Sequence, residues 1–541
     1  MEQNPSLPAR WKDSLSGALE HPLHRLRIGY AAWLFGIFCY FLPAATWNPV
    51  SRFDLTRSVV ERSSFAIDPY VDNTGDRAHR GEHWYSDKAP LAALLAVPAY
   101  QAYHWMERSR GKAPAYQVVA KAGEAPQRVT VNRSFQRALY VCSLSTAALA
   151  GVGVGLALFE LLRRRLSIPT ALAGSAAAVL ATPLFPYATS FYGHAVAAGF
   201  LTIAVALLDT WGAGAPSSTL ELPSRRRALL AGLCLGTSIG CEYLSFVPAA
   251  ALSLVFALGF VLSSRDRGRA LQRCASELLV PMGVGALGPV LIIAGYHWAC
   301  FGAPWRTGYS FVVDPKFAAG HASGLLGIRL PSAAALWGLS FGRLRGLFYI
   351  APLALALLVG LVARARSRDR AALAGACAFV ALLLVNSSYY MWWGGAAAGP
   401  RHLVPVLGLL ALGVPWLWQR AWLRSVCGAL ALVSLFNMIA IAAVGLEAPE
   451  HGDILRDFIY ERLAAGKLSA LSGASNLGIE FGVVRGGSLG PLLVWLLVGA
   501  RMLYRQTREL PAEAEGAGPA PTADELSPAA PPADAASSIT G

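Results

Sequence analysis

The chain has 541 residues, of which 55% are hydrophobic and 14% are charged, and its mean hydropathy is +0.45. This composition excludes an ordinary soluble domain and is typical of proteins that cross a membrane many times. The formal net charge of +14 does not indicate a nucleic acid partner, because the Arg and Lys residues lie in small groups at the ends of apolar runs. The eight cysteines include no C-x-x-C pair, so we predict neither a disulfide framework nor a zinc site.

The N-terminal segment, Met1 to Arg27, is polar and basic, and the first predicted membrane span follows it at Ile28 to Thr46. The positive-inside rule places this segment in the cytoplasm, so the chain emerges on the outer face of the membrane near Trp47. Further spans are predicted at Ala138–Leu162, Thr170–Tyr187, His194–Trp211, Ala228–Phe246, Ala249–Leu262, Leu278–Trp298, Leu347–Val362, Ala371–Ser388, Leu403–Leu417, Val426–Val444 and Gly490–Met502. Arginine groups follow alternate spans, which predicts an all-α polytopic membrane protein with about twelve transmembrane helices and both termini in the cytoplasm.

The first outer loop is long and is predicted to cover residues 47–136. Its apolar part, Ala89 to Met106, is short, contains Pro90 and Pro98 and ends in aromatic residues, so it is predicted to lie in the membrane interface. If it crossed the membrane, the arginines at 163–165 would be left outside. The rest of the loop, Glu107 to Arg133, is a polar insert for which the sequence suggests no role.

Three regions follow from this topology. Residues 1–27 form a cytoplasmic segment, and residues 28–507 form one membrane domain. Residues 508–541 are rich in Pro and Ala, are acidic after Leu510, and are predicted to form a disordered cytoplasmic tail.

Unusual polar motifs gather at the predicted outer ends of the spans. They cover Thr182–His194, Cys241–Tyr243, Phe301–Tyr309, Phe341–Phe348 and Tyr389–His402. Single aromatic residues in these motifs, such as Trp393, are equally explained by an interfacial aromatic belt. Arginines on the outer side oppose the orientation bias, so Arg343, Arg345 and Arg401 are predicted to meet an anion such as phosphate. Glu242 lies near the outer end of a span, where a carboxylate indicates either a polar cavity or a buried ion pair.

Two residues of the first outer loop, Asp54 and Lys88, are candidates for a functional role. A carboxylate at Asp54, close to the membrane surface, is a candidate general base for an acceptor hydroxyl; the alternative is a solvated or capping residue. Lys88 begins the interfacial helix, where its ammonium is a candidate phosphate contact; the alternative is a lysine that snorkels to the interface.

One spacing in this loop suggests a metal site. The residues Asp76, His79, His83 and Asp87 would nearly share one face of a helix. The turn formers and aromatic residues around Gly81 favour a short β-hairpin instead, so no metal ligand set is predicted.

The motifs resemble those of a known family. The dipeptide Arg52–Phe53 soon after the first span, the sequence Y-S-D-K-A-P-L at Tyr85–Leu91, and the following interfacial helix are similar to integral-membrane glycosyltransferases of the GT-C class. The likeness is to the bacterial branch that contains lipid A aminoarabinose transferase and the protein mannosyltransferases, and it covers roughly Ile28 to Leu417. The motif G-G-x-x-x-G-P-R-H at Gly394–His402 is similar to a late motif of related bacterial sequences.

This resemblance implies a catalytic Asp in the first outer loop and a sugar taken from a polyprenyl-phosphate donor on the outer face. It also implies that Arg52 and Lys88 contact phosphate. The acidic pair of the aminoarabinose branch is replaced here by Pro49 and Val50. The catalytic carboxylate is therefore left open, with Asp54 and Asp87 as the leading candidates and Asp68 and Asp76 as further ones.

The sequence thus predicts a glycosyltransferase of the bacterial inner membrane that passes a sugar to a lipid, glycan or protein acceptor on its periplasmic face. The donor phosphate would be held by Arg52, Lys88, Arg343, Arg345 and Arg401. The substrate cavity would be lined by Asp68, Asp76, Tyr85, His194, Glu242, Trp393 and His402. No cofactor is predicted, and the need for a divalent cation is left open. The alternative is a transporter or flippase of a lipid-linked glycan, which predicts mid-span charges and related halves that the sequence does not show.

Overall fold

The computed structural model describes residues 21–112, 132–210, 221–367, 369–468, 474–483 and 485–510. Most of the predicted N-terminal segment, most of the polar insert at 107–133 and nearly all of the predicted tail lie outside the described residues. The statements below concern the described part of the chain.

The longer helices are numbered here in chain order. They are α1 Pro22–Cys39, α2 Trp47–Arg62, α3 Leu91–Ser109, α4 Arg133–Leu162, α5 Ile168–Leu180, α6 Gly193–Leu208, α7 Arg225–Cys241, α8 Tyr243–Ser263, α9 Arg267–Phe301, α10 Ala333–Ser340, α11 Leu353–Arg366, α12 Arg370–Ser388, α13 Arg401–Leu417, α14 Ala421–Val444 and α15 Gly487–Arg508. Two short antiparallel sheets accompany them. Strand β1 (Phe41–Leu42) pairs with β4 (Ser475–Asn476), and β2 (Arg77–Arg80) pairs with β3 (His83–Ser86).

Six of the described helices are long and apolar enough to cross a membrane: α4, α8, α9, α12, α14 and α15. The helices α5, α6 and α13 are apolar but shorter. The predicted class, an all-α membrane protein, is confirmed in these terms, while the predicted number of about twelve spans stays a prediction. Helices are the expected spanning element because their backbone groups satisfy each other away from water.

The segment between α1 and α4 contains two helices and a hairpin. Helix α2 starts after Thr46, whose backbone is extended, and ends at Ser63 in the left-handed region with a φ of 53°. The hairpin turns at Gly81, which has a φ of +62° that suits glycine at the first position of a tight turn. Helix α3 covers the stretch that was predicted to be an interfacial helix. The predicted helix and the predicted hairpin are therefore both present.

The boundary between α7 and α8 differs from the prediction. We expected one span to run on to Phe246, but α7 ends at Cys241 and α8 begins at Tyr243. Between them Glu242 has an extended backbone, with φ −149° and ψ 113°. The predicted boundary was wrong because the chain breaks at Glu242, and Pro248 lies in the first turns of α8, where proline is tolerated. The break leaves Glu242 at the junction of two helices.

A buried ion cluster joins three connections on the side of the bundle away from Glu242. Arg165, after α4, lies 3.0 Å from the Asp209 carboxylate and 3.1 Å from the Asp369 carboxylate. Arg364, at the end of α11, lies 2.8 Å from the same Asp369. These arginines, which the sequence offers as topology signals, are also held by carboxylates in the folded protein.

Glycines bring α7 and α9 into backbone contact. A Cβ atom on Gly232 would lie 1.9 Å from the carbonyl oxygen of Met282, and one on Gly285 would lie 1.9 Å from that of Leu229. Small residues that allow helices to approach closely are typical of helix packing in membranes. This contact sets the position of α7, and hence of Glu242 at its end.

We expect Gly285→Ala to destabilise the protein by about 1–3 kcal/mol, the usual cost of overpacking, because the new methyl group has no room. Gly283→Ala, two residues away on the same helix, is the matched control, since a Cβ there would meet nothing within 4 Å. Loss of monodisperse protein on heating in detergent would be compared for the two variants. Equal loss in both would contradict the close contact of α7 and α9.

Candidate functional site at the helix ends

The charged residues of the predicted site meet where several helices begin or end on one side of the bundle. The polar cluster is defined as Arg52, Asp76, Asp87, Lys88, His194, Glu242, Arg401 and His402. Its members come from α2, the residue before β2, the segment between β3 and α3, the start of α6, the junction of α7 and α8, and the start of α13. Short stretches of chain far apart in sequence therefore build one site.

Arg52 is the central side chain of the polar cluster. It is 1% exposed, and its two terminal nitrogens bond to the Ala89 carbonyl oxygen at 3.1 Å and to Glu242 Oε1 at 2.5 Å. These contacts tie α2 to the start of α3 and to the end of α7. The Nε atom of Arg52 is buried without a hydrogen-bond partner among the described residues.

Lys88 lies between two carboxylates. Its Nζ atom is 2.9 Å from Asp76 Oδ2 and 3.1 Å from Asp87 Oδ2. Burial acts to lower the pKa of Lys88, but the two carboxylates outweigh it and raise that pKa above its ordinary value. Burial raises the pKa of Asp87 to about 6, against the opposing effect of the Lys88 ammonium. The ammonium therefore stays charged and holds the end of the hairpin to the connection before α3.

Arg401 differs from the other two cations of the polar cluster. Among the described residues, no carboxylate lies within ion-pair distance of it. Its Nε atom faces His402 Nε2 at 3.4 Å, and it lies within electrostatic range of Lys88 and Glu242. Gly394, with a φ of +76°, would place a Cβ only 3.1 Å from the Arg401 side chain. The glycine in the predicted motif thus makes room for the guanidinium.

Two histidines lie side by side in the polar cluster. The ring centroids of His194 and His402 are 5.7 Å apart. His194 Nδ1 is 3.4 Å from Glu242 Oε1, and His402 Nδ1 is 2.9 Å from Asn386 Oδ1. The sequence analysis missed Asn386, although an Asn at the end of the apolar run of α12 was a usable signal.

Four buried polar atoms in and beside the polar cluster have no hydrogen-bond partner among the described residues. They are Arg52 Nε, Asp87 Oδ1, His194 Nε2 and Asn386 Nδ2. Buried polar groups are normally bonded, because an unbonded one costs about 1–3 kcal/mol. Two donors and two acceptors left open in one place indicate a site for a polar ligand.

Aromatic rings line one side of this site. Tyr309 contacts the ring of Tyr243 at 5.9 Å and stacks on His321 at 4.6 Å, and His321 in turn contacts Tyr390 at 5.1 Å. Burial raises the pKa of Tyr309 to about 12, and the nearby Lys88 opposes that rise. No local sequence signal points to His321, because only tertiary contacts bring its short helix to the site.

Asp54 lies apart from the polar cluster. Two residues along a helix point in nearly opposite directions, so Asp54 faces away from Arg52 on α2. Its Oδ1 atom accepts a hydrogen bond from Asn73 at 3.3 Å. Burial raises the pKa of Asp54 to about 8, although Arg57 and Asn73 act to lower it. Its catalytic role stays a prediction, while two of the other candidate carboxylates, Asp87 and Asp76, lie beside Lys88.

Two other predicted cavity residues lie in the hairpin or against it, Tyr85 on β3 and Asp68 in the short helical turn Asp68–Asn73 that precedes β2. Asp68 lies 2.8 Å from His83 Nδ1 and accepts a hydrogen bond from the Trp84 backbone at 2.7 Å. Tyr85 packs on the ring of Phe301 at 5.6 Å. In the described structure these contacts fix the hairpin, and they do not join either residue to Lys88.

The predicted phosphate contacts Arg343 and Arg345 have other surroundings. Arg345 is completely buried, and it donates to the carbonyl oxygens of Trp393 at 3.1 Å, Gly395 at 2.8 Å and Pro449 at 2.8 Å. Arg343 is exposed. The indole of Trp393 donates to Glu450 at 3.0 Å. Arg345 therefore stabilises the turn that leads to Arg401. In the described part of the chain, neither Arg343 nor Trp393 contacts the polar cluster.

The spacing that suggested a metal site has a different explanation. Asp76, His79, His83 and Asp87 lie on or beside a hairpin in which His79 is opposite Trp84, so they do not share a helix face. Among the described residues, no group of three or more His, Cys, Asp or Glu side chains is placed to hold a metal ion. The space between the Asp76 and Asp87 carboxylates is taken by the Lys88 ammonium.

The fold and the site together define a multi-pass membrane protein with a buried polar site at one end of its helices. No family model and no curated protein match the sequence. Solved structures do match. ArnT from Cupriavidus metallidurans in the apo state matches with a TM-score of 0.47 and 14% identity, over 89% of this chain and 76% of ArnT. ArnT bound to undecaprenyl phosphate matches with a TM-score of 0.45 and 16% identity, over 89% of this chain and 76% of ArnT.

The oligosaccharyltransferase of Archaeoglobus fulgidus in the apo form also matches, with a TM-score of 0.42 and 14% identity, over 84% of this chain and 56% of the archaeal protein. The likeness to these proteins is one of fold.

We expect Asp54→Asn to gain stability relative to the wild type as the pH rises. The carboxyl group has a pKa of about 8 when folded and of about 4 when unfolded, so its favourable contribution is complete below about pH 4 and is lost up to about pH 8. Thermal unfolding of both proteins in detergent, measured between those two pH values, checks this.

The exposed Asp72 of the same segment supplies the matched control, Asp72→Asn. A difference between Asp54→Asn and the wild type that stays constant with pH would show that Asp54 is ionised in the folded protein.

Proposed function

We propose that this protein is a membrane glycosyltransferase that transfers a sugar from a polyprenyl-phosphate-linked donor to a lipid, glycan or protein acceptor. The observation that carries the proposal is Arg401, a cation without a carboxylate partner among the described residues, next to buried polar atoms that lack hydrogen-bond partners. Arg401 is half-buried, so its charge favours an anionic partner, and its planar guanidinium suits phosphate. The motif resemblance found in the sequence agrees with this.

The donor phosphate would lie between Arg401 and Lys88, with the free Nε atom of Arg52 as a third donor. The glycosidic bond to phosphate breaks with the electron pair going to the phosphate oxygen. Fixed cations at that oxygen stabilise the charge that develops as the bond breaks, which is commonly the largest single contribution to catalysis. Lys88 keeps its charge beside Asp76 and Asp87, so it is suited to this role.

The lipid chain of the donor would lie in an apolar groove of about 230 Å³ between α3, α4 and α6. Leu95, Leu149, Val196 and Phe200 are among the residues that line it. Val196 follows His194 by two residues on α6, so the two side chains point in nearly opposite directions and the groove is lined by a different face of this helix from the one that carries His194. A groove lined mainly by apolar residues fits a polyprenyl chain better than a water-soluble sugar nucleotide.

The sugar itself would lie against the aromatic wall formed by Tyr309, His321 and Tyr390. Asp87 Oδ1, which has no protein partner in the described structure, is placed to accept a hydrogen bond from a sugar hydroxyl. Of the two carboxylates that the sequence offers as catalytic, this proposal uses Asp87, because Asp54 faces the opposite side of α2.

The proposal includes the location expected from the sequence. The polar cluster would lie at the periplasmic face of a bacterial inner membrane, with both chain termini in the cytoplasm. Helix α3 would then lie in the interface, and the groove would open to the lipid beside it. A cysteine introduced at the exposed His83 should in that case react with an impermeant reagent from outside the cell.

We expect Arg401→Gln to weaken binding of undecaprenyl phosphate by at least about tenfold, the loss expected for a charge-assisted hydrogen bond of about 1.5–3 kcal/mol. The matched control is Arg329→Gln, since Arg329 is an exposed arginine on the loop before α10. Binding to the purified protein in detergent, followed by calorimetry or by thermal shift, makes the comparison.

Unchanged binding of undecaprenyl phosphate in Arg401→Gln would show that Arg401 does not bind the donor phosphate and would contradict the proposal. Transfer would be assayed in reconstituted vesicles with a panel of radiolabelled polyprenyl-phosphate pentoses and hexoses and extracted membrane lipids. Movement of the labelled lipid across the vesicle without any transfer would instead identify the transporter that the sequence left as the alternative.

A further inference from the structure

Transfer of a sugar to a hydroxyl group requires a group that takes up the hydroxyl proton. Within the polar cluster, two buried acceptor atoms lack a partner among the described residues, Asp87 Oδ1 and His194 Nε2. The unpartnered nitrogens Arg52 Nε and, beside the cluster, Asn386 Nδ2 only donate. His321 Nδ1 also lacks a partner, but it belongs to the aromatic wall and not to the cluster. The choice of base in this cluster is therefore between Asp87 and His194.

Asp87 lies on the side of the leaving group. Its Oδ2 atom is 3.1 Å from Lys88 Nζ, and Lys88 is the cation assigned to the donor phosphate. In a single displacement the acceptor oxygen approaches the anomeric carbon from the side opposite to the leaving phosphate. A base bonded to the phosphate-binding lysine is poorly placed for that approach, whereas His194 is bonded to none of the three cations in the described structure.

His194 is held as an oriented base would be. Its Nδ1 atom faces Glu242 Oε1 at 3.4 Å, and the same oxygen is bonded by Arg52 Nη2 at 2.5 Å. The carboxylate is an acceptor only, so Nδ1 carries the proton of a neutral ring and Nε2 is the free acceptor. His194 is 3% exposed, so Nε2 does not reach bulk solvent.

The backbone supports this arrangement. A Cβ atom on Gly193 would lie 2.2 Å from the Cys241 carbonyl oxygen and 2.7 Å from Glu242 Oε1. Only glycine before His194 lets the start of α6 approach the end of α7 this closely. The break between α7 and α8 at Glu242, which the sequence did not predict, brings the carboxylate to the histidine.

From this geometry we infer that His194 is the general base of the proposed transfer and that Glu242 is its positioning residue. The inference rests on the proposed function. In the step, the acceptor oxygen bonds to the anomeric carbon as its proton passes to Nε2. The bond from that carbon to the phosphate oxygen breaks, and its electron pair stays on the phosphate held by Lys88 and Arg401. The imidazolium formed is stabilised by Glu242 and later releases its proton to water.

The test compares His194→Gln with the wild type. We expect the variant to bind undecaprenyl phosphate within about threefold of the wild type, because the cations are intact, and to lose at least about a hundredfold in turnover, as expected for loss of a general base. The wild-type turnover should rise with pH as the base loses its proton, and this rise should be absent in the variant.

The pH dependence has to be read against the groups that face His194. These are Glu242 from the end of α7, Arg52 from α2, Lys88 before α3, Arg401 and His402 from α13, and the phenols of Tyr187 and Tyr192. Glu242→Gln provides a second variant, with the carboxylate replaced by an amide of the same size. It should shift the pH dependence of turnover, because the amide does not stabilise the imidazolium.

His297→Gln is the matched control for changing a buried histidine. Both of its ring nitrogens are bonded, to the Tyr243 hydroxyl at 2.7 Å and to the Pro304 carbonyl oxygen at 3.0 Å. We expect it to lower thermal stability and to leave the pH dependence of turnover as in the wild type.

A wild-type rate and pH dependence in His194→Gln would overturn the inference and leave the proposed function standing. If His194→Gln fails to fold, an unshifted pH dependence in Glu242→Gln overturns it in the same way. Failure of the wild type to transfer sugar from any donor in the panel would instead count against the proposed function.

Discussion

The buried guanidinium of Arg52 is the interaction on which the rest of the site depends. It is bonded to the carbonyl oxygen of Ala89 and to the carboxylate of Glu242, so one side chain fixes α2, the connection before α3 and the end of α7. A buried ion pair that loses one partner leaves an uncompensated charge, at a cost of about 3–5 kcal/mol. The segment between α1 and α4 is therefore held to the helix bundle by polar contacts that also form the wall of the site.

The three cations of the polar cluster are compensated unequally. Arg52 is paired with Glu242, and Lys88 with two carboxylates, whereas Arg401 has no carboxylate within ion-pair distance in the described structure. Unequal compensation matters because a buried site in which every charge is paired is a structural ion network, while a cation that lacks a partner recruits an anion from a ligand. The buried polar atoms around Arg401 that lack hydrogen-bond partners require a ligand that can form hydrogen bonds as well.

The positions of Glu242, His194 and Arg401 are set mainly by the backbone. The break at Glu242 turns the carboxylate towards α6, Gly193 allows α6 to approach it, and Gly394 gives space to Arg401. Each is a local departure from regular helix at a helix end. Membrane helices are long and repetitive, so their ends are where the chain can vary its chemistry without breaking hydrogen bonds in the apolar layer.

The sequence by itself determined the class of protein, most of the helices and the hairpin, and it supplied every member of the polar cluster as a candidate site residue. Apolar periodicity and charged residues in apolar surroundings are local patterns that can be recognised from the sequence alone. Tertiary structure alone decided which of those residues meet. Asp54 and Arg52 lie on opposite faces of α2, and Arg345 donates its hydrogen bonds to backbone carbonyl oxygens. His194 at the start of α6 contacts Glu242 at the end of α7. Such pairings depend on helix rotation and on glycine contacts between helices, which no single stretch of sequence records.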